Sequence, residues 1–339
     1  MRLATDKHFI LTFLILFLFL PGRAMSHCFS LREDPLLISL SLPSFNGIRD
    51  NECIWTGSGN SITIPLRRAG NIFLIEAEVD GERGYLVLDT GASGVVLNRT
   101  YFRDHVVMDS QTAGGVTGSV AEVEKIGVDQ IIISGLKFKG LIADLANLGH
   151  IENRRGVKIL GLIGFALIRN FEIVLDAGQS DLQLFKIDKK GERIDLSAPS
   201  FVSDYKCPFD EKNNILFLNT SLKGKRMNFC FDTGAETNVI DRDAPRSVLA
   251  SVSITRRSTL NGAAETTTDV LFGTMNDFQF GEKTLDNLET IITNLNPLSE
   301  SYGVRIDGML GYSFFSRGVI CINFVKKEFS ISYIKATEE

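Results

Sequence analysis

Glu78-Val-Asp-Gly-Glu-Arg-Gly-Tyr-Leu-Val-Leu-Asp89-Thr90-Gly91-Ala92 and Ser221-Leu-Lys-Gly-Lys-Arg-Met-Asn-Phe-Cys-Phe-Asp232-Thr233-Gly234-Ala235 are two versions of one pattern. Gly81 aligns with Gly224, Arg83 with Arg226 and Asp89 with Asp232, each 143 residues apart. In both, an apolar run ends at Asp-Thr-Gly, so a hydrophobic strand delivers a carboxylate to its end, where water is limited. Gly91 and Gly234 then permit a tight turn. One Asp-Thr-Gly is weak evidence, because an acidic residue before glycine is common turn chemistry. Two at equivalent places in a duplicated unit are strong evidence.

The repeat extends outward. Val116-Thr-Gly118-Ser matches Leu260-Asn-Gly262-Ala at a spacing of 144, and Leu160-Gly161-Leu-Ile-Gly164-Phe matches Asp307-Gly308-Met-Leu-Gly311-Tyr at 147. Each copy closes with two strand-like runs around a polar turn, Phe171 to Leu184 and Val319 to Tyr333. A period this long indicates a duplicated domain and not a solenoid, whose repeats run about 20–50 residues. Short runs of Val, Ile, Leu, Phe and Thr broken by Gly, Asp and Asn predict an all-β chain. Leu141 to His150 and Asn287 to Leu295 are the better places for short helical or irregular connections. The lobes are expected over 61–190 and 191–339, with the charged, Ser- and Pro-bearing stretch from Lys186 to Tyr205 as the join.

The chain has 339 residues, 44% of them hydrophobic, which suits two globular domains. A net charge of −5 argues against nucleic acid as a partner. Residues 1–24 form a distinct segment: Arg2 and Lys7, an apolar run from Phe9 to Leu20, then Pro21-Gly22-Arg23-Ala24. This is the pattern of a secretory signal and predicts export, to the periplasm or outside the cell. The alternative is an anchor that stays uncleaved, although a comfortable span needs about 20 apolar residues. Residues 25–60 are irregular and fit a pro-segment, a linker or an extra edge strand. Cys28 and Cys53 could pair, whereas Cys230 and Cys321 sit in apolar runs as small hydrophobes. No CxxC or Cys/His cluster points to a metal.

On the two Asp-Thr-Gly-Ala motifs, each followed by an apolar-apolar-Gly motif, the chain from about residue 70 to 335 resembles the aspartic proteases, in particular their retropepsin-like branch. The resemblance implies two related retropepsin-like β-barrel lobes in tandem, with the active-site cleft between them. It implies an aspartic endopeptidase in which Asp89 and Asp232 activate water on a peptide bond, without cofactor or metal. It assigns Thr90 and Thr233 to cross-lobe bracing of the loops, and Gly161, Gly164, Gly308 and Gly311 to psi-loop strands passing close behind them. Flaps would fall at Ala113–Ser119 and Leu260–Ala264, around Gly118 and Gly262. Because one chain carries both aspartates, a monomer is expected, with a peptide or protein substrate. The residue after Asp-Thr-Gly-Ala is Ser93 in one copy and Glu236 in the other, so the two halves of the cleft differ. No flap tyrosine of the pepsin kind stands near Gly118 or Gly262.

Other readings compete. Asp176-Ala-Gly178 is a hairpin turn, and Asp307 a loop residue. The histidines make no His-x-x-x-His pair, so a zinc hydrolase is disfavoured, and no nucleophile elbow appears. Asn98-Arg-Thr100 and Asn219-Thr-Ser221 fit a glycosylation pattern. A non-catalytic or zymogen-like peptide-binding relative and a two-carboxylate glycosidase remain as alternatives.

Overall fold

The structure, a computed structural model, describes residues 18–19, 48–56, 59–115, 118–195, 197–261 and 267–334. Strands dominate, and the helices among the described residues are short. The two copies of the sequence repeat fold alike. Ile72–Val79 turns back into Glu82–Leu88, and Ile215–Leu222 into Lys225–Phe231. The turns match as well: Asp80 and Gly81 have φ of 48° and 87°, Lys223 and Gly224 51° and 68°. Positive φ at both central residues is the two-residue hairpin geometry whose twist suits the flanking strands.

Leu86 and Leu88 pack into one core cluster and Val87 into another on the opposite face, while the strand Ile159–Ile163 runs parallel beside them and antiparallel to Val95–Asn98. Gly308–Leu310 holds the equivalent place, parallel to Lys225–Phe231 and antiparallel to Asn238–Asp241. Each lobe then adds a long hairpin, Val107–Gly115 with Gly118–Ile133, and Val252–Asn261 with Thr267–Met275.

One antiparallel six-stranded sheet joins the lobes, in the order Ser61–Ala69, Asp181–Lys186, Phe171–Asp176, Gly318–Asn323, Glu328–Tyr333, Tyr205–Pro208. The central pairing crosses between lobes, from Glu172 opposite Asn323 to Asp176 opposite Val319. The closing strands of the two copies thus pair with each other. The stretch from Lys186 to Tyr205 connects the second strand of this order to the last, with one bridge between Ile187 and Arg193.

Aromatic side chains knit the interior across the same boundary. Phe165 stacks on Phe231 at 6.4 Å and meets Phe324 edge-on at 5.6 Å, while Phe73 packs on Tyr312 at 6.1 Å. Each such ring, fully buried, contributes roughly 1.5–3 kcal/mol.

Two sequence expectations are corrected. Leu141–Ala146 and Leu288–Thr293 are strands, and the helices follow them at Gly149–Arg155 and Asn296–Tyr302. Both segments lie parallel to the strand after Asp-Thr-Gly and are mostly buried, so pairing overrides helix propensity. Of the irregular N-terminal segment, Ile48–Trp55 is an extra strand on Leu136–Ala146, with Trp55 packed 5.6 Å from Phe171. Leu18–Phe19 pairs with Ala113–Gly114. The rest of the expected signal lies outside the described residues. Cys53 is a free thiol, and Cys28 lies outside the described residues.

Candidate active site

The two Asp-Thr-Gly loops meet at the boundary between the lobes, with Asp89 1% and Asp232 3% exposed. Each loop is fixed from behind by the same bonds. Asp89 N–H donates to Ile163 O and Asp232 N–H to Leu310 O, both at 3.0 Å. Gly91 N–H donates to Asp89 Oδ1 at 3.0 Å, and Gly234 N–H to Asp232 Oδ1 at 2.8 Å.

Thr90 and Thr233 tie the loops to each other. Thr90 Oγ1 donates to Phe231 O at 3.0 Å and accepts from Thr233 N–H at 3.0 Å. Thr233 Oγ1 donates to Leu88 O at 2.8 Å and accepts from Thr90 N–H at 3.1 Å. All four bonds are buried and all cross between lobes. A hydroxyl suits this place because it donates and accepts at once.

The glycines behind the loops are there for space. A Cβ on Gly161 would lie 2.1 Å from Val96 O, and one on Gly164 2.1 Å from Ala92 O. On Gly308 it would lie 2.2 Å from Phe229 Cε1, and on Gly311 2.4 Å from Thr237 O. Gly118 stands opposite Gly115 at the end of the first hairpin; Gly262 lies outside the described residues. That first hairpin reaches the helix Asn296–Tyr302 of the other lobe.

The two carboxyls lie close enough that each shifts the titration of the other. Burial lifts Asp89 well above the ordinary carboxylate range; the Asp232 charge and its hydrogen bond add to this, against the N–H groups of Gly91 and Ala92. Burial also lifts Asp232, opposed by the Gly234 N–H, the Asp89 hydrogen bond and the N–H groups of Gly91 and Ala235. Two carboxylates this close cannot both ionise, so the pair retains one proton. It titrates as a unit. Such a pair has a proton donor and a proton acceptor side by side.

The sequence reading missed a second layer. Asn71 Nδ2 donates to Glu236 O at 3.1 Å and Asn214 Nδ2 to Ser93 O at 2.9 Å, both from the opposite lobe. Asn71 and Asn214 are themselves 143 residues apart, each before an isoleucine, so extending the repeat toward the N-terminus would have found them. Arg155 forms a largely buried ion pair with Glu236 across the lobes. Tyr302, fully buried, donates its hydroxyl to Gly91 O at 3.2 Å. No repeat signal marks the last two.

Asp176 Oδ1 accepts from the N–H groups of Gly178 and Gln179, both at 2.9 Å, as a hairpin turn does. Asp307 Oδ2 accepts the Asn228 N–H at 2.8 Å, and its other oxygen pairs with Arg305. Asn98 is buried and caps the helix Arg99–Phe102, which explains its place before Arg-Thr without glycosylation.

A family model of aspartyl proteases matches residues 218–314, which contain Asp232, Gly308 and Gly311. No curated protein sequence matches the chain. Among solved structures, the crystal structure of aspartic proteinase from Irpex lacteus superposes with a TM-score of 0.51 at 13% identity, covering 82% of this chain and 98% of that one. The fold is therefore the all-β, two-lobed fold of the aspartic proteases, and the family model falls on its second lobe.

Proposed function

We propose that the protein is an aspartic endopeptidase whose catalytic residues are Asp89 and Asp232. One observation carries this reading: two buried carboxyls, close enough to titrate as one pair, at the ends of equivalent strands, on loops locked to each other by reciprocal threonine bonds. The ionised carboxylate takes a proton from a water lying between the pair. The protonated carboxyl gives its proton to the carbonyl oxygen of the scissile peptide, and the water oxygen adds to the carbon. Collapse of the tetrahedral species returns a proton to the leaving nitrogen and breaks the C–N bond. The rigid loops matter because they hold both carboxyls in place before substrate arrives.

Buried carboxyls close enough to titrate as one pair favour this reading over glycoside hydrolysis, which places its carboxyls about 5 Å or more apart to admit a sugar. An exported monomer acting on peptides or proteins completes the proposal. A mixed pool of peptides and oligosaccharides, incubated from about pH 3 to 8 around the dyad's titration, tests it. Hydrolysis of peptides alone is the expected result; cleavage of glycans alone would replace the reading.

A further inference from the structure

The two lobes are not equivalent behind their aspartates, and the difference lies at one structural position. The helix Gly149–Arg155 ends at Gly156, with φ 63°, and Asn296–Tyr302 ends at Gly303, with φ 59°. Arg155 and Tyr302 are thus the last residues of equivalent helices, 147 residues apart, the same spacing as Gly161 to Gly308. Both side chains cross to the opposite Asp-Thr-Gly loop. Arg155 takes the Glu236 carboxylate, four residues beyond Asp232. Tyr302 instead takes a main-chain atom of the loop itself, Gly91 O.

That atom matters because the Gly91 carbonyl and the Ala92 N–H belong to one peptide group. The Ala92 N–H closes the loop on Asp89, donating to its main-chain oxygen at 3.1 Å, and from there it favours the ionised carboxyl. A donor on the carbonyl side of an amide polarises it and strengthens its N–H as a donor. Among the described residues the Tyr302 hydroxyl has no other polar partner; its ring is fixed edge-on against Phe217 at 5.9 Å within the core of the second lobe. The phenol is buried beside Cys230, Asp232 and Asp89, and burial holds it neutral. A neutral hydroxyl is a donor at any pH at which the protein works.

We propose that Tyr302 is a positioning residue for the dyad: from the second lobe it holds and polarises the Gly91–Ala92 peptide, so that Asp89 and Asp232 are supported unequally. This deepens the aspartic-protease reading and rests on it. The titratable groups beside Asp89 are Asp232 and Tyr302; Cys230 lies beside Asp232 and Tyr302 and stays a thiol, raised by burial.

The test follows the carboxyls directly, so that it does not depend on turnover. Protein carrying carboxyl-13C aspartate is titrated by NMR, with Asp89→Asn and Asp232→Asn used to assign the two signals. Tyr302→Phe removes the hydroxyl and keeps the ring. The pair's apparent midpoint, followed at the Asp89 signal, is expected to rise by about half a pH unit, roughly threefold in proton affinity. Difluorotyrosine at position 302, a stronger donor, moves it the other way without loss of packing. Phe217→Leu, which loosens the ring but leaves the hydroxyl, lowers the melting temperature and leaves the midpoint in place. In turnover, Tyr302→Phe lowers kcat roughly threefold or more with KM within about twofold. An unchanged midpoint in both Tyr302 variants overturns the proposal. An altered midpoint in a protein that cleaves no peptide would instead overturn the protease reading while leaving the role of Tyr302 standing.

Discussion

Replacing Thr233 by valine keeps the shape of the side chain and removes one oxygen that serves two main-chain groups. Thr90 N–H and Leu88 O lose their partners, at present 3.1 and 2.8 Å away. Both lie in the buried junction, where Thr233 is 0% exposed, so water does not replace the oxygen. An orphaned buried polar group costs about 1–3 kcal/mol, so the variant should lose roughly 2–6 kcal/mol. A whole domain is stable by only about 5–15 kcal/mol, so the shift is large. Thr90→Val orphans Thr233 N–H and Phe231 O and should cost the same, because the arrangement is reciprocal. Thr233→Ser keeps the hydroxyl and loses one methyl, at about 1 kcal/mol. Urea unfolding followed by tryptophan emission and far-UV dichroism gives the midpoints. A Thr233→Val protein within 0.5 kcal/mol of the parent, or no more perturbed than Thr233→Ser, would refute the reasoning.

Other consequences concern charge, space and assembly. Both dyad carboxyls are raised in the folded state, so their contribution to stability is fully present below the unfolded carboxylate value near pH 4 and is lost as pH rises through their folded values. Asp89→Asn should therefore melt higher than the parent at neutral pH and converge with it near pH 3, as thermal scans across that range would show. Gly164→Ala and Gly311→Ala put a methyl within 2.1 Å of Ala92 O and 2.4 Å of Thr237 O, and should each cost about 1–3 kcal/mol or more in unfolding free energy. Sedimentation of the active protein should give a monomer, and activity proportional to concentration; a dimer required for activity would contradict the single-chain site.

The parts of the fold that repeat were legible because they obey the same local physics twice. Apolar residues before Asp-Thr-Gly, glycines where two strands nearly touch, and matched two-residue turns all leave marks in sequence. Asn71 and Asn214 were equally legible, each standing at the start of the strand that leads into the repeated hairpin. The expectation of a short helical or irregular connection over Leu141 to His150 failed at Leu141–Ala146 because leucine and alanine favour a helix in isolation, while burial between neighbouring strands decides otherwise. Arg155 and Tyr302 were not legible: they fill one structural position with different chemistry, and their partners are 81 and 211 residues away. The six-stranded junction was half visible. Each closing pair of strands could be read, but not that Phe171–Asp176 would pair with Gly318–Asn323 of the other copy.

The central claim is that Asp89 and Asp232 hydrolyse peptides as one unit. The most direct measurement is cleavage of a diverse peptide pool by the parent, Asp89→Asn and Asp232→Asn, each shown to be folded. Cleavage by the parent and loss of several orders of magnitude in both variants is the predicted result. A variant that keeps parental cleavage with either aspartate gone would contradict the account.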